Sequence, residues 1–238
     1  MTVPPAPAPV AVALDTGNLE TAASWANAVS PHVSTLKVGL QLYMRYGPQV
    51  VASVRGGSGA DIFLDLKLHD IPATVAGAAR AVAPLHPSLL TVHATGGRAM
   101  IRAAVDALPD TRVAAVTLLT SLTDDDLAEL GWSQPPPDAV RRLSALAVGA
   151  GARAVVCSPR EVASVRAEVG PDVTLVTPGV RPRGADTQDQ VRVATPEQAL
   201  ADGADLIVVG RPVTGAPDPG AAAATIARSL RRSTRAAS

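Results

Sequence analysis

Asp61-Ile62-Phe63-Leu64-Asp65-Leu66-Lys67-Leu68-His69-Asp70-Ile71-Pro72 is an apolar run with charges set into every second position near its end. Strand side chains alternate between faces, so Asp65 and Lys67 share one side while Leu64, Leu66 and Leu68 share the other. The leucines suit a face covered by helices, which turns the aspartate and the lysine toward an interior. The sequence predicts a strand here over Asp61–Leu66. Similar short β-branched or leucine-rich runs recur about every 25 to 30 residues, with Ala-rich amphipathic stretches between them. They predict strands at Val10–Leu14, Thr35–Gly39, Leu89–Ala94, Arg112–Leu119, Arg153–Cys157, Val173–Thr177 and Asp205–Val209. Helices are expected at Leu19–Val29, Leu40–Val54, Pro72–Ala83, Arg98–Leu108, Asp138–Gly149, Pro159–Val169, Pro196–Ala201 and Pro219–Arg231, several opening on the proline favoured at a first helical position.

Strands alternating with helices in this number argue for an α/β fold, a single closed (β/α)₈ TIM barrel. The rival is an open doubly wound sheet, which usually carries a glycine-rich phosphate turn after its first strand. Here that strand runs into Leu14-Asp15-Thr16-Gly17, without GxGxxG. The 238 residues and 47% hydrophobic content fit one barrel over residues 10–232, after a disordered Pro/Ala-rich lead at 1–9 and before a tail at 233–238. The lead lacks the basic start of a signal peptide. No apolar run reaches the roughly 18 residues of a membrane span. Twenty-one basic residues balance 21 acidic ones, so nothing in the net charge points to nucleic acid or an anionic membrane as a partner. One cysteine, Cys157, excludes an internal disulfide and a thiolate metal cluster, and its apolar setting suits a buried thiol. A cytoplasmic protein is expected.

Only Lys37 and Lys67 among the 21 basic residues are lysine; every other is arginine. Most surface positions accept either cation, but lysine is a compact ammonium that can release its proton, and guanidinium effectively cannot. Alternation turns Lys37 inward between Leu36 and Val38, and Asp15 inward after Val12 and Leu14. Asp15, Lys37, Asp65, Lys67 and Asp70 are thus expected at one cavity, at the carboxyl ends of adjacent strands where barrel enzymes place their sites. A buried ion-pair network is the bland alternative for any one pair. So charged a core is costly, and function is the usual reason to keep it. The long segments Ser121–Pro137 and Gly179–Thr195 belong on the same face. Arg181 in Pro178-Gly179-Val180-Arg181 and Arg211 in Gly210-Arg211-Pro212 follow the last two strands, the recurrent phosphate site of such barrels.

The segment Asp65-Leu66-Lys67-Leu68-His69-Asp70-Ile71-Pro72 resembles the signature of the orotidine 5′-monophosphate decarboxylases. Asp15, Leu36-Lys37-Val38-Gly39, Val116-Thr117-Leu118-Leu119-Thr120-Ser121, Thr177-Pro178-Gly179-Val180-Arg181, Asp189-Gln190-Val191-Arg192 and Val208-Val209-Gly210-Arg211-Pro212 match in order and approximate spacing. A sister family of sugar-phosphate decarboxylases and synthases shares Asp-x-Lys-x-x-Asp but is expected to carry an acidic metal ligand where Lys37 stands. The resemblance is therefore to the short bacterial form of the cofactor-free, metal-free enzyme. It implies decarboxylation of orotidine 5′-monophosphate to uridine 5′-monophosphate, the last step of de novo pyrimidine nucleotide synthesis. Lys67 would protonate C6, flanked by Asp65 and Asp70. Asp15 and Lys37 would bind ribose, Thr120 the pyrimidine edge, and Arg181, Gln190, Gly210 and Arg211 the phosphate. It further implies a homodimer in which Asp70, Ile71 and Thr74 reach the partner's site. Leu118 departs from the pattern, where the short bacterial form often has glutamine.

Two other function classes compete. An isomerase or aldolase-type barrel would need a metal or turn over a ketose phosphate, and a non-enzymatic nucleotide-binding module would not need Lys67 or Asp70. His93, in Thr91-Val92-His93-Ala94, reads first as a hydrogen-bonded structural histidine, and His69 and Asp189 take no assigned role.

Overall fold

The computed structural model describes residues 6–181 and 194–236. Strand β1 (Ala8–Ala13) leads through α1 (Leu19–Val29) to β2 (Val33–Gly39), and α2 (Leu40–Tyr46) and α3 (Gln49–Arg55) carry the chain to β3 (Asp61–Leu68). Next come α4 (Pro72–Val82), β4 (Leu89–His93), α5 (Gly97–Ala107) and β5 (Arg112–Val116). Helices α6 (Asp124–Glu129) and α7 (Pro136–Gly149) precede β6 (Ala154–Val156), α8 (Val162–Val169) and β7 (Thr174–Thr177). The chain ends in α9 (Pro196–Ala201), β8 (Leu206–Val209), α10 (Arg211–Thr214) and α11 (Pro219–Ala236). Each strand pairs in parallel with the next, and β8 pairs with β1, so the sheet closes into the expected (β/α)₈ barrel rather than the open doubly wound sheet.

Alternation along the strands sorts the core into two regions. Val10, Val12 and Leu14 from β1 and its end, Leu36 and Val38 from β2, and Leu64 and Leu66 from β3 pack outward beneath the helices. Ala11, Phe63, Leu89, Ala114, Ala154, Val176 and Leu206 pack together inside the barrel. Phe63 is the chain's one phenylalanine and is 2% exposed. The small side chains of Ala11, Ala114 and Ala154 leave the volume it fills, and this plug forms the floor on which the mouth of the barrel is built.

Several boundaries differ from the sequence expectations for local reasons. β1 begins at Ala8, inside the expected lead, and α11 continues to Ala236, inside the expected tail; residues 1–5 and 237–238 lie outside the described residues. The single helix expected over Leu40–Val54 is two, because Gly47 takes a left-handed φ of 63° and Pro48 cannot donate a backbone hydrogen bond. The expected loop Ser121–Pro137 contains α6, whose start is fixed by a capping box in which Thr123 and Asp126 bond reciprocally. β5 stops at Val116 instead of Leu119, freeing residues 117–120 to turn over the barrel mouth. Residues 182–193 of the expected Gly179–Thr195 loop are outside the described residues, and its ends are joined where Val180 bridges Ala194.

Candidate active site

The carboxyl ends of the strands enclose a cavity of about 280 Å³. Asp15, Lys37, Asp65 and Lys67 line one wall, and Thr120, Arg181, Gly210 and Arg211 line the rest together with apolar side chains. Each acidic or basic group of the first wall is supplied by the carboxyl end of a strand or the residues just after it. Asp15 follows β1, Lys37 stands on β2, and Asp65 and Lys67 stand on β3.

These four charges form an alternating chain. Lys37 Nζ lies 3.4 Å from Asp15 Oδ1 and 3.1 Å from Asp65 Oδ2, and Lys67 Nζ lies 2.8 Å from Asp65 Oδ1. Its middle is buried and its two ends, Asp15 at 56% and Lys67, are more exposed. The side chain of Lys37 is 9% exposed and that of Asp65 13%, whereas Lys67 is 29% exposed and opens on the cavity. Among the described residues Lys67 Nζ has one acceptor, Asp65, and an ammonium carries three protons, so it can donate further to a substrate in the cavity it lines. Gly39 permits this packing: a Cβ there would meet Asp15 Oδ1 at 2.8 Å.

Burial alone would push the Asp65 carboxyl up, but the Lys37 and Lys67 ammonium groups and their hydrogen bonds outweigh it and hold the group below its ordinary 3.8. Burial alone would likewise push Lys37 down, and the carboxylates of Asp65 and Asp15 outweigh it to hold the ammonium above 10.5. Both groups are therefore charged across the neutral range. A depressed Asp65 contributes stability above its unfolded value that is lost as pH falls through the lower folded one; a raised Lys37 contributes stability that is lost only as pH rises past 10.5. The gap in melting temperature between the unsubstituted protein and Asp65→Asn should thus be widest near neutrality and narrow as pH falls below 3.8 and through the lower folded value, where the carboxyl takes up its proton. A gap that stayed constant into acid would show that Asp65 is not held as a paired anion.

Asp70 does not join the cluster. Lys67 adopts a left-handed φ of 48°, which costs a non-glycine residue about 1–2 kcal/mol and makes a turn within β3 where its pairing with β4 slips. Asp70 is exposed beyond that turn, its Oδ1 accepting a 2.6 Å hydrogen bond from Ile71 N. Within one chain the expected convergence of five charges is one of four. Ile71, 66% exposed, and Thr74 share the exposed start of α4. Gln190 and Asp189 lie outside the described residues.

The remaining candidates fall into place around the cavity. Arg181 is 6% exposed beside Gly179, and Arg211 opens α10 after Gly210. Cys157 sits in the cavity wall, but burial and then the Glu161 carboxylate push its thiol up to about 12, so it is not a thiolate nucleophile at neutral pH. His93 stacks on His69 at 5.3 Å between centroids; burial, then His69 and Lys67, hold its imidazole below its ordinary value and hence neutral. Sequence reasoning missed Gly39 and Thr91. Thr91 is wholly buried on β4 and bonds both to Asp65 and to the backbone of Lys67. Among the described residues no three His, Cys, Asp or Glu side chains are grouped to hold a metal ion, and no helix is long and apolar enough to cross a membrane.

With this geometry in view, residues 8–226 match the family model described as orotidine 5′-phosphate decarboxylase / HUMPS family. An orotidine 5′-phosphate decarboxylase of Thermobifida fusca is 68% identical over 225 residues, covering 94% of this chain and 97% of its own. One of Frankia casuarinae is 56% identical over 253 residues, covering 99% and 92%. The crystal structure of orotidine 5′-phosphate decarboxylase from Lactobacillus acidophilus superposes with a TM-score of 0.81 at 39% identity, over 93% of this chain and 98% of that one.

Proposed function

Because this chain belongs to the orotidine 5′-phosphate decarboxylase / HUMPS family, we propose that it converts orotidine 5′-monophosphate to uridine 5′-monophosphate and CO₂, with Lys67 as the proton donor and without metal or cofactor. The observation that carries the reading is the Asp15–Lys37–Asp65–Lys67 chain, whose most exposed cation opens on the cavity. Loss of CO₂ leaves the bonding electron pair on C6 of the pyrimidine, where no carbonyl is placed to delocalise it. Stabilisation must come from a fixed positive charge. The Lys67 ammonium supplies that charge as the bond to the carboxylate carbon breaks, then passes one proton to C6. The resulting amine regains a proton from solvent. Asp65 and Lys37 hold Lys67 in place, so little reorganisation accompanies the charge movement.

The binding roles follow the same placement. Asp15 and Lys37 take the ribose hydroxyls and Thr120 the pyrimidine edge, while Arg181, Arg211, Gly210 and Gln190 take the phosphate. Grip on the distant phosphate supplies binding energy that holds the base against the charged wall. Lys37 also separates this reaction from metal-dependent relatives, since an ammonium is not a metal ligand. The enzyme works in the cytoplasm, in the last step of de novo pyrimidine nucleotide synthesis, as a homodimer in which Asp70, Ile71 and Thr74 complete the partner's site. Exposure of those three residues supports the last point.

A direct test follows the ultraviolet absorbance of orotidine 5′-monophosphate in excess chelator. Full turnover is expected. Activity that vanishes with chelator and returns with magnesium would remove the reading.

A further inference from the structure

We propose that Thr91 is the positioning residue that sets the geometry of the Asp65–Lys67 pair; the inference rests on the decarboxylase reading of this site. β3 and β4 stay in step up to the pair Leu64 and Leu90, and regain step at Leu68 and Val92. Between them Asp65, Leu66 and Lys67 all face a single residue of β4, Thr91. Such a bulge leaves strand groups without ladder partners and re-aims side chains. One of those groups is the N–H of Lys67, which sits at φ 48°.

The Thr91 hydroxyl answers both consequences of the bulge. It accepts from Lys67 N at 2.8 Å and lies 3.0 Å from Asp65 Oδ1. The direction of each bond is forced, because an amide N–H can only donate and a carboxylate can only accept. The hydroxyl therefore uses its proton on Asp65 and a lone pair on Lys67. Asp65 Oδ1 takes Thr91 and Lys67 Nζ, which leaves Oδ2 for Lys37. Thr91 thus fixes the rotation of the carboxylate so that one oxygen faces each lysine, and it clamps the strained backbone that aims Lys67 at the cavity. Both cations are mobile four-carbon chains, whereas Thr91 has one torsion and is 0% exposed. It does not line the cavity, so it acts through Asp65 and Lys67 and not on the substrate.

Thr91→Val keeps the shape and removes the hydroxyl, leaving the Lys67 N–H without its acceptor. Loss of hydrogen bonds to charged and buried groups predicts a fall in kcat of about 30-fold. KM for orotidine 5′-monophosphate and the dissociation constant of uridine 5′-monophosphate should stay within about threefold, because the binding groups are untouched. Thr91→Ser restores both bonds and should bring kcat back to within about threefold of the unsubstituted enzyme. If Thr91→Val does not fold, Thr91→Ala reads the same quantity, since it too lacks the hydroxyl but sets no methyl against the carboxylate. The inference is overturned if the hydroxyl-free variant keeps kcat, if product affinity collapses along with kcat, or if Thr91→Ser falls as far as Thr91→Val. An unsubstituted protein that does not turn over orotidine 5′-monophosphate at all would count against the decarboxylase reading itself.

Discussion

Lys67→Arg is expected to lower kcat for orotidine 5′-monophosphate by about a thousandfold or more, while the uridine 5′-monophosphate dissociation constant stays within roughly tenfold, about 1.4 kcal/mol. Arginine keeps the positive charge beside Asp65, so the ion pair and the nucleotide site persist. Two properties are lost. The guanidinium is a broad planar fork where the ammonium places three protons around one point 2.8 Å from Asp65 Oδ1. It also holds its protons too tightly to deliver one to carbon. Separate measurement of single-turnover rate and product affinity distinguishes this from simple disruption, which would weaken both. A variant retaining most of its kcat would show that Lys67 is not the acid.

Mixing two inactive variants, Lys67→Ala and Asp70→Ala, should restore about a quarter of unsubstituted activity once their subunits exchange. Each mixed dimer then has one site carrying both lesions and one carrying neither. Random equal mixing makes half the dimers mixed, and half of their sites are intact. The expectation needs Asp70 to act in trans, and its position motivates that requirement. Its side chain is exposed past the turn at Lys67 and does not line the cavity of its own chain, and the neighbouring Ile71 presents an apolar side chain, 66% exposed, in the same loop. Exchange is verified by mass labels. Verified exchange without recovered activity would place the function of Asp70 within its own subunit.

What was legible in the sequence follows from the period of a strand. Alternation put Lys37, Asp65 and Lys67 on the inner face and the leucines outside, and the pairing of those charges confirms it. The barrel was legible on a longer scale, in short apolar runs alternating with helical stretches, and the closed parallel sheet agrees with it. Alternation carries no information about register between strands, and that is where the reading stopped. Thr91 in Leu90-Thr91-Val92 looks like an ordinary β-branched strand residue. Its role appears only when three residues of β3 are seen to face it. The positive φ at Lys67 was equally hidden, since a lysine gives no local cue for it. Other misses had cues in plain view. Thr123-Asp124-Asp125-Asp126 is a capping-box pattern that predicts α6, and Gly47-Pro48 is a helix break.

The central claim is tested most directly by one experiment in heavy water with chelator present, in which orotidine 5′-monophosphate is consumed to completion while CO₂ and nucleotide are both quantified. A single CO₂ should be released per substrate lost, and the nucleotide should be uridine 5′-monophosphate with one deuterium at C6, delivered from the exchanged ammonium of Lys67. Lys67→Ala under the same conditions should give neither product above the uncatalysed background. Substrate loss without CO₂, or undiminished CO₂ release from Lys67→Ala, would contradict the account.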